Sequence, residues 1–238
     1  RASARTTIAQ CVAGALAKLA LKQIVPQMDI YAFCSQIGTI YANNPADIKV
    51  ARAISDSNAV RCPDSEAANK MESLIKEVHK EQDSIGGVVS CIIENCPVGL
   101  GEPLFDKLHA RLGYTMLNIN AAKGFEYGDG FDSATQRGSY HNDSFATDEK
   151  GNIATTSNHS GGIQGGISNG QTISFRVAFK PTPTIGIAQQ TVDKNLNAVT
   201  LEAKGRHDPC VVPRAVPVVE NCAAFVILDS LLMNKIWQ

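Results

Sequence analysis

Ile173, Phe175, Val177 and Phe179 occupy alternate positions along one short segment, and the residues between them are polar or small. Successive side chains of a β-strand point to opposite faces of its sheet, so this alternation predicts a strand with one buried face. It is the clearest periodic signal in the sequence. The chain is therefore expected to contain a sheet, with Lys180 at the end of this strand.

Helical periodicity alternates with strand-like segments along the rest of the chain. From Ala4 to about Ile24 apolar residues recur at three- and four-residue intervals, with Ser3 available as N-cap. The same reasoning predicts helices from just after Asp64 to Gly86, over 103–117 and over 215–235, and strands over 30–40 and 88–93. The last helix is apolar on most sides, which predicts burial in the core or in a subunit interface. Without repeats or a linker, residues 1–238 are predicted to form one domain of mixed α/β layers.

The segment from Gly124 to Gly170 breaks this pattern, because it is polar and rich in glycine. It is too long to be an ordinary connection inside a compact domain. Loops of this length are usually functional or mobile, so ligand-binding residues are expected here.

Composition restricts the partners of the chain. With 22 basic and 23 acidic residues the net charge is -1, which argues against a nucleic-acid or anionic-membrane surface. We expect no membrane partner, because no apolar run is long enough to span a bilayer and no secretory signal is present. The seven cysteines show no metal-type spacing and are expected to be reduced thiols of a cytoplasmic protein without a metal site.

Three polar clusters suit anion binding, because each places cationic side chains or glycine backbone beside the end of a predicted element. They are Arg1–Arg5 at a helix start, Gly161–Gly170 before the strand, and Lys180–Thr184 after it. Backbone amides at a helix N-terminus, glycines that let a ligand approach, and Lys or Arg side chains commonly bind phosphate. Taken singly, each cluster is equally consistent with a capped helix, a flexible loop or a solvated lysine.

A fourth cluster, Lys204–Cys210, adds specificity to this pattern. In order and approximate spacing, the chain resembles the signature segments of the chorismate synthase family in Arg1–Thr7, Asn118–Gly124, Gly128–Phe131, Gly165–Gly170, Lys180–Thr182, Lys204–Cys210 and Arg214–Glu220. Several multi-residue motifs in sequence are far more specific than one short pattern. The resemblance extends along the whole chain.

The resemblance implies a sandwich of β-sheets and α-helices with long glycine-rich ligand-binding loops, assembled as a homotetramer. It implies a lyase that eliminates phosphate from 5-enolpyruvylshikimate 3-phosphate to give chorismate, with reduced FMN as cofactor. NADPH would enter only as an external reductant or as one bound upstream of Arg1.

Site residues follow from the same resemblance, position by position. Flavin contacts are expected from Arg1, Ala2, Ser3, Asn120, Ala121, Gly165, Lys180, Pro181, Thr182, Pro183, Thr184 and Arg206. Asp208 matches the family aspartate beside the flavin, where a carboxylate can take a proton. Arg5 and Arg206 are expected to bind the anionic groups of the substrate, and Asn142 to contact substrate or flavin.

The chain departs from the family at its start, because the family's first signature and its second active-site histidine lie upstream of Arg1. The chain is therefore expected to be part of a longer polypeptide. The alternative function is a catalytically inactive fragment that binds flavin or anions and retains oligomer contacts. Without the resemblance, the clusters indicate only a phosphate-binding module.

The histidines within the chain are not expected to replace the missing ones. His79 and His109 lie among charged neighbours in predicted helices and are expected to be solvated, and His141 lies in the long polar segment. His159 can support the glycine-rich loop and His207 can orient Asp208, but both are equally consistent with a structural role. Glu220 is expected to be ion-paired rather than catalytic.

Overall fold

The structure, a computed structural model, describes residues 3–43, 45, 47–147, 151, 153–203, 205 and 207–236. The α-helices are α1 (Thr7–Ile24), α2 (Ile48–Asp56), α3 (Ser65–Lys80), α4 (Leu108–Leu117), α5 (Gly138–His141) and α6 (Val212–Ile236). The strands are β1 (Asp29–Ile37), β2 (Ile40–Tyr41), β3 (Gly87–Glu94), β4 (Ala122–Tyr127), β5 (Phe145–Thr147), β6 (Ile153–Thr155), β7 (Ile163–Gln164), β8 (Ile167–Ser168), β9 (Ile173–Phe179), β10 (Gln189–Val192) and β11 (Ala198–Leu201). Short 3₁₀ helices cover Ala4–Thr6 and Gly130–Thr135.

Five strands form the main sheet, in the order β2-β1-β3-β9-β4. The described residues also form three separate antiparallel hairpins, β5 with β6, β7 with β8, and β10 with β11. The predicted strand at 173–179 is confirmed, because Ile173, Phe175, Val177 and Phe179 are buried and the residues between them are not. The mixed α/β class is also confirmed.

By compactness the chain divides into two units. The first unit contains Arg1–Ala32, Ser90–Val177 and Pro217–Gln238, and the second contains Phe33–Val89 and Ala178–Val216. Large buried side chains of the first unit include Leu112, Met116 and Ile227, and those of the second include Phe33 and Met71. The single-domain interpretation of residues 1–238 stays a prediction.

Several predicted boundaries were wrong. Helix α3 ends at Lys80 instead of Gly86, because Gln82 takes the left-handed conformation (φ 60°) that ends helices. Helix α4 begins at Leu108 instead of 103, because Asp106 also has a positive φ of 56°, which a helix cannot contain. The long polar segment contains short strands and helices, and α2, β10 and β11 were not predicted.

Helix α6 is long and apolar enough to cross a membrane by length and composition, which the sequence analysis did not expect. However, 61% of its most apolar window is buried inside the protein. The burial agrees with the prediction that a helix apolar on most sides lies in a core. All seven cysteines are free thiols, and only Cys11 is not buried.

Candidate functional site

In the second unit, the predicted flavin segment and the predicted catalytic aspartate are held together by hydrogen bonds. The hydroxyl of Thr182 donates to the carbonyl oxygen of Asp208 at 2.8 Å, and the hydroxyl of Ser84 donates to the carbonyl oxygen of Thr182 at 2.7 Å. The amide of Ile85 donates to the carbonyl oxygen of Pro209 at 2.7 Å. Segments 84–85, 180–184 and 208–209 are therefore fixed against one another.

This arrangement depends on a close approach at Gly86. A β-carbon at Gly86 would lie 2.4 Å from the carbonyl oxygen of Phe179 and 3.1 Å from the ring of Pro181. Contacts this short do not occur between real atoms, so the position admits only glycine. The glycine lets the backbone of the 84–86 turn lie directly against the start of the 180–184 segment.

The carboxylate of Asp208 is paired with a residue that the sequence analysis did not assign to the site. Its Oδ2 atom lies 2.5 Å from Nη1 of Arg214, in the first turn of α6; the Arg214 side chain is exposed and that of Asp208 is partly exposed. Arg214 begins the segment Arg214–Glu220, which resembles the family. In the sequence, this resemblance was the only indication that Arg214 belongs to the site. Among the described residues, the other carboxylate oxygen of Asp208 has no hydrogen-bond partner.

His207 does not orient this carboxylate. Its Nε2 donates to the carbonyl oxygen of Ala203 at 3.0 Å, so its ring is committed to the backbone four residues earlier. Of the two roles that the sequence left open for His207, the structure therefore supports the structural one and not the orientation of Asp208. The guanidinium of Arg214 holds the carboxylate instead.

The second unit has two neighbouring clefts, and Asp208 lines the smaller one. The smaller cleft, of about 480 Å³, is lined by the charged or polar residues Lys76, His79, Lys80, His207, Asp208 and Arg214. Another, of about 720 Å³, shares His79, Lys80 and His207 with the first. Basic side chains outnumber acidic ones around the smaller cleft, which suits an anionic ligand. His79 is exposed as expected, and it lines both clefts. The same expectation for His109 was wrong, because its ring is partly buried against Tyr127.

The remaining predicted contacts that the structure describes lie in the first unit. Ser3 caps the turn before α1 through its hydroxyl oxygen, which accepts from the amide of Arg5 at 3.3 Å, and the residue Arg5 is exposed. Asn120 and Ala121 connect α4 to β4, and Ala121 has a φ of 70°, a conformation that is strained for a residue with a side chain. Arg1, Ala2 and Arg206 lie outside the described residues.

Gly165 lies in the two-residue turn that joins β7 and β8, followed by Gly166. Both have positive φ, 61° and 93°, as the turn of a tight hairpin requires. A β-carbon at Gly165 would meet nothing within 4 Å, so its backbone faces open space. A ligand can approach this turn without obstruction from the first unit.

Two aspartates, Asp143 and Asp129, accept hydrogen bonds from the residues that precede the glycine-rich hairpin. The sequence analysis gave neither of them a role in the site. Asp143 accepts hydrogen bonds from the hydroxyl of Ser157 (2.8 Å) and the amides of His159 (2.8 Å) and Ser160 (2.9 Å). Burial alone would raise the pKa of Asp143, but the hydrogen bonds from Ser160, Ser157 and His159 outweigh it and lower the pKa to about 2. His159 was expected to support the glycine-rich loop, and part of this support is the hydrogen bond from the His159 amide to Asp143.

Asp129 is the second of these two aspartates. Its Oδ2 atom lies 2.6 Å from Nδ1 of His159 and accepts from Nε2 of Gln136 at 2.7 Å. Burial would raise the pKa of Asp129, but the hydrogen bonds from Gln136 and His159 lower it overall. Asp129 belongs to the Gly128–Phe131 motif, which the family resemblance had singled out without a role.

Glu220 is ion-paired, as the sequence predicted. Its carboxylate is paired with the ammonium group of Lys18 in α1 and accepts from the amide of Ala32 at 2.9 Å. The Glu220 side chain is 12% exposed. It joins α1, β1 and α6 within the first unit and has no part in the clefts described above.

Comparison with known proteins agrees with these features. The family model for chorismate synthase matches residues 1–232. The chain belongs to the chorismate synthase family. It is 55% identical to the chorismate synthase of Cytophaga hutchinsonii over 236 residues, and 56% identical to that of Parabacteroides distasonis, also over 236 residues.

The same comparisons bear on length and fold. Both matches cover 99% of this chain and 64% of the relative, so the chain spans less than two thirds of these chorismate synthases. A crystal structure of chorismate synthase superimposes with a TM-score of 0.79 at 31% identity, over 98% of this chain and 65% of that one. The fold is therefore that of the family.

Proposed function

We propose that this protein catalyses the anti-1,4-elimination of phosphate from 5-enolpyruvylshikimate 3-phosphate, giving chorismate, with reduced FMN as cofactor. Family membership supports the reaction class, a carbon–oxygen lyase acting on a phosphate. The observation that carries the proposal is the hydrogen bond from the hydroxyl of Thr182 to the carbonyl oxygen of Asp208, because it joins the 180–184 segment to a residue whose carboxylate lines a basic cleft.

The chain's donor groups fit a flavin phosphate and its ring system. In the second unit Lys180 and the 181–184 backbone would contribute contacts, and in the first unit Ser3, Asn120, Ala121 and the open turn at Gly165. Arg1, Ala2 and Arg206 complete the proposed set. When bound, reduced FMN would supply electron density to the allylic system of the substrate. The strained φ of Ala121 supports a functional position there, because such strain persists mainly at functional sites.

Asp208 is proposed to accept a proton in this reaction. Its carboxylate oxygen without a partner among the described residues is the atom that would take the proton. Arg214 holds the other oxygen at 2.5 Å and so fixes the orientation of the group. Positioned proton acceptors of this kind commonly contribute about 10² to 10⁴ in rate.

The substrate carries a phosphate and carboxylates, which basic side chains recognise. Arg5, Arg206 and Asn142 are the proposed substrate contacts, and forked guanidinium groups suit both anions. Arg5 and Asn142 are exposed, so their side chains are accessible to a ligand. Lys76 and Lys80 add positive charge to the cleft beside Asp208.

An anaerobic assay with reduced FMN and 5-enolpyruvylshikimate 3-phosphate tests the proposal. Asp208→Asn should lower kcat at least about a hundredfold while FMN affinity stays near that of the parent protein. Asp56→Asn, at the exposed end of α2, is the matched control and should keep full turnover. Turnover near the parent rate in Asp208→Asn with FMN bound would remove the role given to Asp208.

A second candidate function is binding of flavin and anions without turnover, with oligomer contacts retained. The observation in its favour is that the chain spans 64% of its relatives' length. Assaying this chain beside a version extended with the relatives' additional residues separates the two candidates. Chorismate formed only by the extended version would favour the second candidate for the chain alone. If FMN fails to raise the melting temperature of either version, only a phosphate-binding module remains.

We also propose a cytoplasmic homotetramer, by analogy with the family. Its support is the β10–β11 hairpin, whose strand residues are all exposed although an isolated two-stranded hairpin is at best marginally stable in water. Sedimentation analysis should give four times the mass of the chain. A monomer at micromolar concentration would contradict the tetramer without affecting the proposed reaction.

A further inference from the structure

His159 lies where three loops of the first unit meet. These loops are 128–137, after β4; 138–144, which contains α5; and 157–170, which contains the glycine-rich hairpin. The side chain of His159 is 17% exposed, so it is mostly enclosed by these loops. The sequence analysis related His159 only to the third loop.

The first loop is joined to His159 at two points. The amide of Asp129 donates to the carbonyl oxygen of His159 at 2.9 Å, and the Asp129 carboxylate lies 2.6 Å from Nδ1 of the ring. The neighbouring backbones touch as well, since a β-carbon at Gly128 would lie 2.1 Å from the same carbonyl oxygen. This pairing fixes both the main chain and the ring orientation of His159.

The second loop is joined to His159 through its side chains. Asp143 accepts from the amide of His159 at 2.8 Å. The rings of Tyr140 and His141 lie against the imidazole, with centroids 4.8 Å and 5.7 Å away. Asn142, the proposed substrate contact, lies between His141 and Asp143 and so belongs to the part of this loop that contacts His159.

The third loop continues directly from His159 into the glycine-rich hairpin. Asn158 anchors its base, because its carbonyl oxygen accepts from the amide of Gly161 at 3.1 Å and its Oδ1 from the amide of Gly162 at 2.8 Å. Strand β7 begins at the next residue and leads to the open turn at Gly165. The position of Gly165 therefore depends on how residues 158–162 are held.

We propose that His159, oriented by Asp129, is a positioning residue that holds the loop carrying Asn142 and the hairpin carrying Gly165 in one fixed arrangement. The inference rests on the proposed function, because Asn142 and Gly165 are ligand contacts only if that function is correct. His159 acts by holding these loops through the contacts of its ring and its backbone, and not by contacting substrate or cofactor.

The ring and the hydrogen bond of His159 can be separated by substitution. His159→Phe keeps an aromatic ring against Tyr140 but removes the donor to Asp129. His159→Asn removes the ring but keeps an N–H group near the place of Nδ1. The matched control is His109→Phe, because His109 is also partly buried and stacked on a tyrosine, Tyr127 at 4.8 Å, outside this network.

Flavin titration, steady-state kinetics and amide hydrogen exchange test the inference. They are made on the chain itself, or on its extended version if only the extended version turns over. In His159→Phe the dissociation constant for FMN and the KM for 5-enolpyruvylshikimate 3-phosphate should both rise about tenfold, since a hydrogen bond to a charged group is lost. The kcat should change less than about threefold. His159→Asn should recover most of the affinity, and His109→Phe should match the parent. Amide hydrogen exchange should accelerate in 138–147 and 160–170 of His159→Phe and not elsewhere.

The outcomes separate this inference from the proposed function. Parent protein that binds no FMN refutes the flavin proposal, and hydrogen exchange alone then decides the inference. If amide exchange in 138–147 and 160–170 of His159→Phe is unchanged, the inference about His159 is overturned, whether or not the parent protein binds FMN. A merely structural role would lower kcat through loss of folded protein with KM unchanged and no rescue by His159→Asn, and that result also overturns it.

Discussion

Gly14 of α1 lies so close to Asn221 of α6 that a β-carbon on Gly14 would be 2.3 Å from the carbonyl oxygen of Asn221. Lys18, one turn further along α1, forms an ion pair with Glu220, the residue before Asn221 in α6. Glycine at position 14 therefore permits the approach that the ion pair then fixes. The contact is with backbone, so the neighbour cannot yield by a change of rotamer.

Gly14→Ala should destabilise the protein by about 1–3 kcal/mol, because overpacking at a backbone contact outweighs the better helix propensity of alanine. Thermal or urea unfolding measures the loss. Gly138→Ala is the control, since a β-carbon there would meet nothing within 4 Å. Equal stability of the two variants would show that α1 and α6 are not in this close contact.

Asp143→Asn should be less stable than the parent by about 1–3 kcal/mol at neutral pH, because it disrupts several buried hydrogen bonds. The folded pKa of Asp143, about 2, lies below the unfolded value near 3.9. Its stabilising contribution is therefore present above about pH 4 and is lost as the pH falls toward 2. The difference in unfolding free energy between parent and variant, followed from pH 7 to pH 2, should shrink over that window. A constant difference would contradict the assignment.

Local signals in the sequence were sufficient for the elements whose causes are local. The alternation at 173–179 predicted β9 and its buried face, and Ser3, the predicted N-cap, caps the 3₁₀ turn that precedes α1. The helix predicted just after Asp64 begins there, and Asp64 is its N-cap. The remaining boundaries depend on contacts that periodicity does not contain. Helix α4 starts where the amide of Leu108 meets the carbonyl oxygen of Gly166 at 2.8 Å, far away in the sequence.

The candidate site shows the same division. Motif resemblance identified the segments, including the one with Arg214, but could not reveal that Arg214 pairs with Asp208. The sequence could not decide the role of His207 for the same reason. Its ring can bond either the carbonyl oxygen of Ala203 or the carboxylate of Asp208, and the structure has the carbonyl. Which side chain meets which is decided by the packing of whole segments, and one sequence does not contain that information.

Lys180→Ala should weaken FMN binding about ten- to a hundredfold, because a charge-assisted contact of this kind contributes about 1.5–3 kcal/mol. Arg206→Ala should behave similarly. Lys194→Ala, at the exposed tip between β10 and β11, is the control and should bind FMN like the parent. Unchanged dissociation constants in a flavin titration of both test variants would dismiss these two positions as flavin contacts.

Gly165→Ala and Gly151→Ala form a matched pair that separates backbone strain from ligand contact. Both glycines have positive φ, 61° and 83°, and a β-carbon at either would meet nothing within 4 Å. Each substitution should therefore destabilise the protein by a similar amount, about 1 kcal/mol, through the left-handed conformation alone.

Only Gly165→Ala places a methyl group in the open space where we propose that FMN approaches the turn. It should weaken FMN binding by at least about tenfold while Gly151→Ala leaves binding unchanged, as measured by flavin titration of variants with matched melting temperatures. Equal FMN affinity in the two variants would mean that the turn at Gly165 does not contact the flavin.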